Sequence, residues 1–223
     1  MRIFLATPIR GLIEPEYLNS ICSIQSNPPC EMIVYRAAGG DPVHVARNKI
    51  VSLFMKSSAT HLLWADSDQV FTSDNIKKLI SHDVDFVGAS ICRKKPDELH
   101  WCFRPLAVDG EPFLKANENG LMPVDAIGCG LTLVKRAVYE KMIEHYGGST
   151  SYLNEDETET LHELYKFGLY DHPDGKRTSM GEDFYFSARW KSIGGEIHAD
   201  TKLVVGHIGT VVFPIKEQVT YNK

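Results

Sequence analysis

The run Leu62-Leu63-Trp64-Ala65 ends in Asp66-Ser67-Asp68, two carboxylates one residue apart. Hard carboxylate oxygens at that spacing suit a divalent cation, Mg²⁺ or Mn²⁺, that leaves positions open for substrate phosphates. Two helix-capping acids on a solvated loop would read the same, so the pair gains weight only from its neighbours. Thr60 to Ala65 is short, apolar and bounded by polar residues, which predicts a buried strand. Thr72-Ser73-Asp74 predicts the start of the next helix. The acids then lie in a loop after a strand, at the edge where open α/β sheets bind ligands.

Other residues point to that edge. Thr7-Pro8-Ile9-Arg10 follows the first predicted strand, where backbone and hydroxyl groups suit a nucleotide's ribose or base. Ala46-Arg47-Asn48 opens the helix before the acidic strand, and a planar cation there suits a base or phosphate; an ordinary surface arginine is the plain alternative. Gly181-Glu182-Asp183 precedes Phe184, Phe186, Ala188, Trp190 and Ile193, a helix that should end near Gly194-Gly195. Acids in a first turn complement the helix dipole without any function. One of them facing a cleft would serve as a general base. His207, in Val204-Val205-Gly206-His207-Ile208-Gly209, should end an apolar strand, where a neutral imidazole beside a strand-end carboxylate would complete a metal shell. No histidine pair shows the helical spacing of a zinc hydrolase.

The elements that must hold these groups alternate. Arg2 to Ala6, Glu31 to Arg36, Thr60 to Ala65 and Asp85 to Ser90 read as strands. Glu14 to Ser26, Val43 to Ser57 and the stretch around Ile76, Leu79 and Ile80 read as helices. That order predicts an α/β fold with a largely parallel sheet and crossover helices. From Ile91 to Pro123, prolines and glycines predict loops and small antiparallel strands, and Asp125-Ala126-Ile127-Gly128-Cys129-Gly130 predicts a tight turn. A helix covers Ala137 to Tyr146. Ser149 to Met180, with its acidic run, reads as a mobile lid or a solvated helix and loop. At 223 residues, with no repeat and no linker, the expectation is one domain over 1–223, with a nucleotide-binding half to about 90 and an acceptor-side half beyond it.

A net charge of −5 with acids and bases mixed along the chain offers no basic stripe for nucleic acid. No apolar run is long enough for a membrane span, and Met1 to Ala6 is too short for a signal peptide. Five cysteines without metal-type spacing favour reduced thiols and a cytoplasmic setting. Oligomeric state has no signature in the sequence.

VARNKIVSLFMKSSATHLLWADSDQVF, then GEDFYFSARWKSIGG, then VVGHIG together resemble the GT-A class of nucleotide-sugar glycosyltransferases, especially the large inverting family. The resemblance spans about three quarters of the chain, with Ile91 to Met122 and Ser149 to Thr178 poorly matched. With Thr7, Pro8, Arg10 and Ser67 expected at the donor edge, the resemblance implies Arg47 on the nucleotide and Asp66 and Asp68 on ribose and metal. It implies Mn²⁺ or Mg²⁺ on Asp66, Asp68 and His207. Asp183 would be the base, with Glu182 next, and Asp125, Gly128 and Cys129 would lie toward the acceptor. The donor would be a nucleoside-diphosphate sugar, UDP-linked, and the acceptor a carbohydrate or other hydroxyl. Two departures stand out: Gln69 replaces a third acid, and the acid after the second strand is missing unless Asp41 substitutes. Asp66-Ser67-Asp68-Gln69-Val70 also resembles the nucleophile motif of haloacid-dehalogenase-type phosphohydrolases, with Asp66 phosphorylated. A noncatalytic nucleotide-sugar-binding module would keep the acids and Arg47 but have no use for Asp183.

Overall fold

Strands buried on both faces need unbroken apolar runs, and the centre of this sheet is made of such runs. The computed structural model describes residues 1–9, 11–39, 42–92, 94, 101–154, 156–171, 177–209 and 213–214. Its first half comprises β1 (Arg2–Ile9), α1 (Pro15–Ser26), β2 (Met32–Gly39), α2 (Val43–Lys56), β3 (His61–Ala65), β4 (Gln69–Val70), α3 (Ser73–Ser81) and β5 (Phe86–Ala89). The second half adds β6 (Phe103–Val108), β7 (Glu111–Phe113), β8 (Leu121–Ile127), β9 (Leu131–Lys135), α4 (Arg136–Thr150), β10 (Ser151–Leu153) and β11 (Thr160–His162). It closes with β12 (Gly168–Asp171), β13 (Arg177–Met180), α5 (Glu182–Ser192), β14 (His198–Asp200), β15 (Gly206–His207) and β16 (Phe213–Pro214).

Nine strands form the main sheet in the order β2-β1-β3-β9-β5-β14-β8-β6-β7. Side chains alternate across it. Phe4, Leu62, Trp64 and Phe86 pack on one face with Ile50 and Phe54 of α2, Tyr139 of α4 and Phe186 and Trp190 of α5. Ile3, Leu5, Leu63, Ala65 and Val87 pack on the other with Tyr17 of α1 and Ile76 and Leu79 of α3. The result is three layers, helices on both faces of one sheet.

The α/β class and the crossover helices agree with the sequence expectation, and β8, β6 and β7 supply its antiparallel extension. The parallel part is confined to β2-β1-β3 and to β5-β14. Between them β9 runs antiparallel to both β3 and β5. Within Ser149 to Met180, after α4 has continued to Thr150, β10 pairs antiparallel with β11 and β12 with β13. Among the described residues no helix is long and apolar enough to cross a membrane.

Candidate active site

The loop after β3 is built by backbone bonds before any side chain acts. Asp66 N–H donates to Gly130 O at 2.9 Å and Gln69 N–H returns to Asp66 O at 3.0 Å, folding Asp66 to Gln69 into a turn. The chain then enters β4, which pairs antiparallel with β15 so that Gln69 opposes His207. Ile208 N–H donates to Asp68 O at 2.7 Å. A residue 140 positions downstream is thereby fastened against the acidic turn. The approach to β15 is held by Asp200, whose Oδ1 accepts from Lys202 and Leu203 N–H at 2.7 and 3.0 Å while Oδ2 lies 2.6 Å from His82 Nε2.

Asp68 faces the outer side of this turn and its side chain is 36% exposed. Oδ1 accepts from Gln69 Nε2 at 3.2 Å, while Oδ2 lies 2.6 Å from Lys94 Nζ and 3.4 Å from His207 Nε2. His207 donates its Nδ1–H to Cys92 O at 2.8 Å, so Nε2 is the nitrogen left facing the carboxylate. Partial burial pushes the Asp68 carboxyl upward, but hydrogen bonds and positive charge from His207 and Lys94 outweigh it and hold the group well below the usual carboxylate range.

Asp66 turns the other way. Its Oδ1 accepts from Arg47 Nη2 at 2.9 Å, and Arg47 Nε donates to Glu182 Oε1 at 3.2 Å. The guanidinium is only 2% exposed and lies over the rings of Trp64 and Tyr165, 4.9 and 5.9 Å from their centroids. Among the described residues its Nη1 has no partner. Behind it Trp64 Nε1 donates to the hydroxyls of Tyr139 and Tyr165 at 3.0 and 2.9 Å, and those hydroxyls lie 3.0 Å apart. Asn48 grips the backbone of Tyr165, donating to its O at 2.8 Å and accepting from its N–H at 2.9 Å. Burial raises the Asp66 carboxyl, opposed by the charge of Arg47 and reinforced by Asp68.

Asp183 occupies the first turn of α5, whose apolar residues Phe186 and Trp190, one helical turn apart, anchor it in the core. Its Oδ1 accepts from Phe184 N–H at 2.7 Å. A Cβ on Gly128 would stand 3.3 Å from Asp183 Oδ2 and from Cys102 O, so a side chain there would crowd the carboxylate. Gly130, two residues on, packs under Gln69 and accepts from Asp66. The Gly128-Cys129-Gly130 turn thus bridges the acidic turn and the start of α5. Burial, with the charge of Glu182 beside it, pushes Asp183 up to about 6 against the pull of Arg47. Cys129 lies among these charges with its thiol pushed upward by burial.

Of the remaining expected residues, Thr7 and Pro8 are buried, and β1 runs parallel to β3 with Ala6 opposite Trp64, so both reach the same edge. The Thr7 hydroxyl is engaged with that of Tyr17. Ser67 is half-buried in the turn itself. Asp125 lies 3.5 Å from both Arg104 and Lys191. Arg10 and Asp41 lie outside the described residues.

Neither a family model nor a curated protein matches this chain. Solved structures do. A197 from STIV aligns with a TM-score of 0.58 at 17% identity, over 100% of this chain and 98% of that one. GalNAc-T7, in a structure with UDP, GalNAc and Mn²⁺, aligns with a TM-score of 0.55 at 13% identity, over 93% of this chain and 44% of the other. This chain therefore spans less than half of the GalNAc-T7 chain. The fold is GT-A-like.

Within this GT-A-like fold three contributors have no signal in the sequence. Lys94 stands in a segment without periodicity, and nothing in its spacing ties it to Asp68. The Cys92 carbonyl that orients His207 is a backbone group invisible to residue type. Tyr165, stacked beside Arg47, is held by Asn48 across 117 positions, a pairing that only the folded topology creates.

Proposed function

We propose that the chain is a metal-dependent glycosyltransferase that moves a sugar from a nucleoside-diphosphate sugar, UDP-linked, to a carbohydrate or other hydroxyl acceptor with inversion. The observation that carries this reading is the convergence of His207 Nε2 and Lys94 Nζ on one oxygen of Asp68, at 3.4 and 2.6 Å. That oxygen is a cation position at the sheet edge, with a lysine ammonium already beside it.

Mn²⁺ or Mg²⁺ fits this donor set. A carboxylate oxygen and an imidazole nitrogen 3.4 Å apart are close to the spacing of adjacent ligands on an ion with bonds of about 2.1 Å. The Nδ1–H donation to Cys92 O is the outer bond that orients a metal-ligating histidine. Among the described residues no three His, Cys, Asp or Glu side chains gather as a full cage. The protein's share would therefore be Asp68 and His207, with Asp66 adjoining, and phosphate and water oxygens would fill the rest. When bound, the ion would neutralise charge developing on the departing diphosphate.

The chain's own groups supply the remaining chemistry. Thr7, Pro8 and Ser67 border the donor. Arg47 serves this reading as a buried cation that fixes Asp66 and Glu182. The acceptor oxygen bonds to the anomeric carbon as the bond from that carbon to the phosphate oxygen breaks. The electron pair leaves with the nucleoside diphosphate, and the hydroxyl proton passes to the Asp183 carboxylate. A carboxyl pushed up to about 6 is ionised at neutral pH yet more basic than an exposed one. Glu182, tied to Arg47, sustains that shift. UDP, GalNAc and Mn²⁺ in the GalNAc-T7 structure support a uridine donor, a sugar ligand and a divalent ion. An odd number of cysteines, five, supports reduced thiols and a cytoplasmic setting. Asp66 as a phosphohydrolase nucleophile gains no support from a carboxylate committed to Arg47. A noncatalytic module leaves the unfavourable burial of Asp183 without a purpose.

Incubation with a panel of nucleotide sugars, with and without Mn²⁺, tests the reading through release of nucleoside diphosphate. Release from one donor, abolished by EDTA and by Asp68→Ala, is expected. Undiminished release by Asp68→Ala would overturn it, and phosphate release from simple phosphomonoesters would favour the hydrolase.

A further inference from the structure

Among the described residues, Lys94 is the one cation in contact with Asp68 whose role neither the motifs nor the fold assigns. Its Nζ lies 2.6 Å from Oδ2, the carboxylate oxygen that His207 also faces. The other oxygen is taken by Gln69 Nε2 at 3.2 Å, so a divalent ion entering the site meets Oδ2. An ion bonded to that oxygen and an ammonium in contact with it would stand within a few ångströms and repel each other. One must move.

The fold limits how far Lys94 can go. Cys92 forms a β-bridge with Trp101, Cys102 N–H donates to Ile91 O at 2.7 Å, and the Cys92 carbonyl holds His207. The lysine is thus tethered two residues beyond a fixed point, on the segment that orients the imidazole. Its side chain is 36% exposed, and four methylenes let the ammonium pivot while the backbone stays in place. A donor arriving with its ion would bring phosphate oxygens into that radius, and the displaced ammonium would find there the anions it needs.

Resting on the proposed glycosyl transfer, we propose that Lys94 is a ligand of the donor diphosphate, stored on Asp68 until metal and nucleotide arrive. It would stabilise the leaving group through charge-assisted hydrogen bonds that grow as the diphosphate departs.

Binding measurements on the whole chain test this without turnover. Mn²⁺ alone is titrated by electron paramagnetic resonance, and UDP is titrated by calorimetry at saturating Mn²⁺, for wild type, Lys94→Met, Lys94→Arg and Asp68→Ala. In Lys94→Met, loss of the competing ammonium should tighten Mn²⁺ about two- to fivefold. Loss of the phosphate contact should weaken UDP about 10- to 100-fold. Lys94→Arg should recover most of the UDP affinity. Circular dichroism should be unchanged in both. UDP affinity unaltered in Lys94→Met, against Asp68-dependent binding by wild type, overturns the role of Lys94 alone. Mn²⁺ bound no more tightly by Lys94→Met overturns the storage on Asp68. Wild type that binds no Mn²⁺, or Asp68→Ala that binds UDP as wild type does, overturns the underlying site as well.

Discussion

Asp66 and Asp68 leave the same strand two residues apart and enter opposite surroundings. Asp66 meets a guanidinium sealed beneath Trp64 and Tyr165, with Glu182 on the far side of the same cation. Asp68 meets a half-exposed lysine and an imidazole. Burial raises the first carboxyl, whereas its neighbours lower the second. The two carboxylates are similarly exposed, 31% and 36%, but the buried Arg47 guanidinium cannot leave Asp66 without going uncompensated, whereas the half-exposed Lys94 can exchange partners at little cost. In this chain the first acid of the pair holds a buried cation and the second a half-exposed one. Spacing makes them look equivalent; side-chain direction separates them.

That contrast can be broken at several points. Asp183→Asn should lower transfer by about 10²- to 10⁴-fold in initial rate, since it removes the proton acceptor and spares both halves of the comparison. Arg47→Met should act on the sealed half, costing about 3–5 kcal/mol in urea unfolding because Asp66 and Glu182 lose their counter-charge. A comparable Asp68→Asn loss of stability would erase the distinction. His207→Ala should act on the open half, weakening Mn²⁺ at least about 10-fold in metal titration while hardly moving the melting temperature.

The smallest effect sharpens the electrostatics. Asp183 binds a proton more readily when folded, about 6 against an ordinary 3.8. Stability should therefore fall as pH rises between those values and stay level above, a penalty of about 3 kcal/mol at most. Asp183→Asn should melt at a higher temperature than wild type at pH 7.5, and the advantage should vanish near pH 4. An equal advantage at both values would assign the gain to packing.

Much of the site was legible because its chemistry is local. The apolar run before Asp66, the Thr72 cap and the acids opening α5 each follow from residues within one turn or strand of one another. Thr72 and Asn75 do form the reciprocal cap at the start of α3. Long-range pairing is where sequence reading stops. Nothing near Leu131 to Lys135 says that this strand inserts between β3 and β5, because its partners are 66 to 74 positions away for β3 and 44 to 48 for β5. Arg47 reads as a surface cation until Trp64 and Tyr165 close over it. His207 was expected to end an apolar strand, yet Leu203 to Val205 lie outside any strand and β15 is only Gly206–His207. Its placement depends on β4, a two-residue partner too short for periodicity to reveal.

The β4–β15 clasp has a consequence in time. Four residues, two from each end of a long stretch of chain, bring the histidine to its carboxylate. A growing polypeptide that has already completed β3 and α5 still lacks this junction, which forms only once Gly206 and His207 have been made. Until then Asp68 stands without the imidazole that faces it.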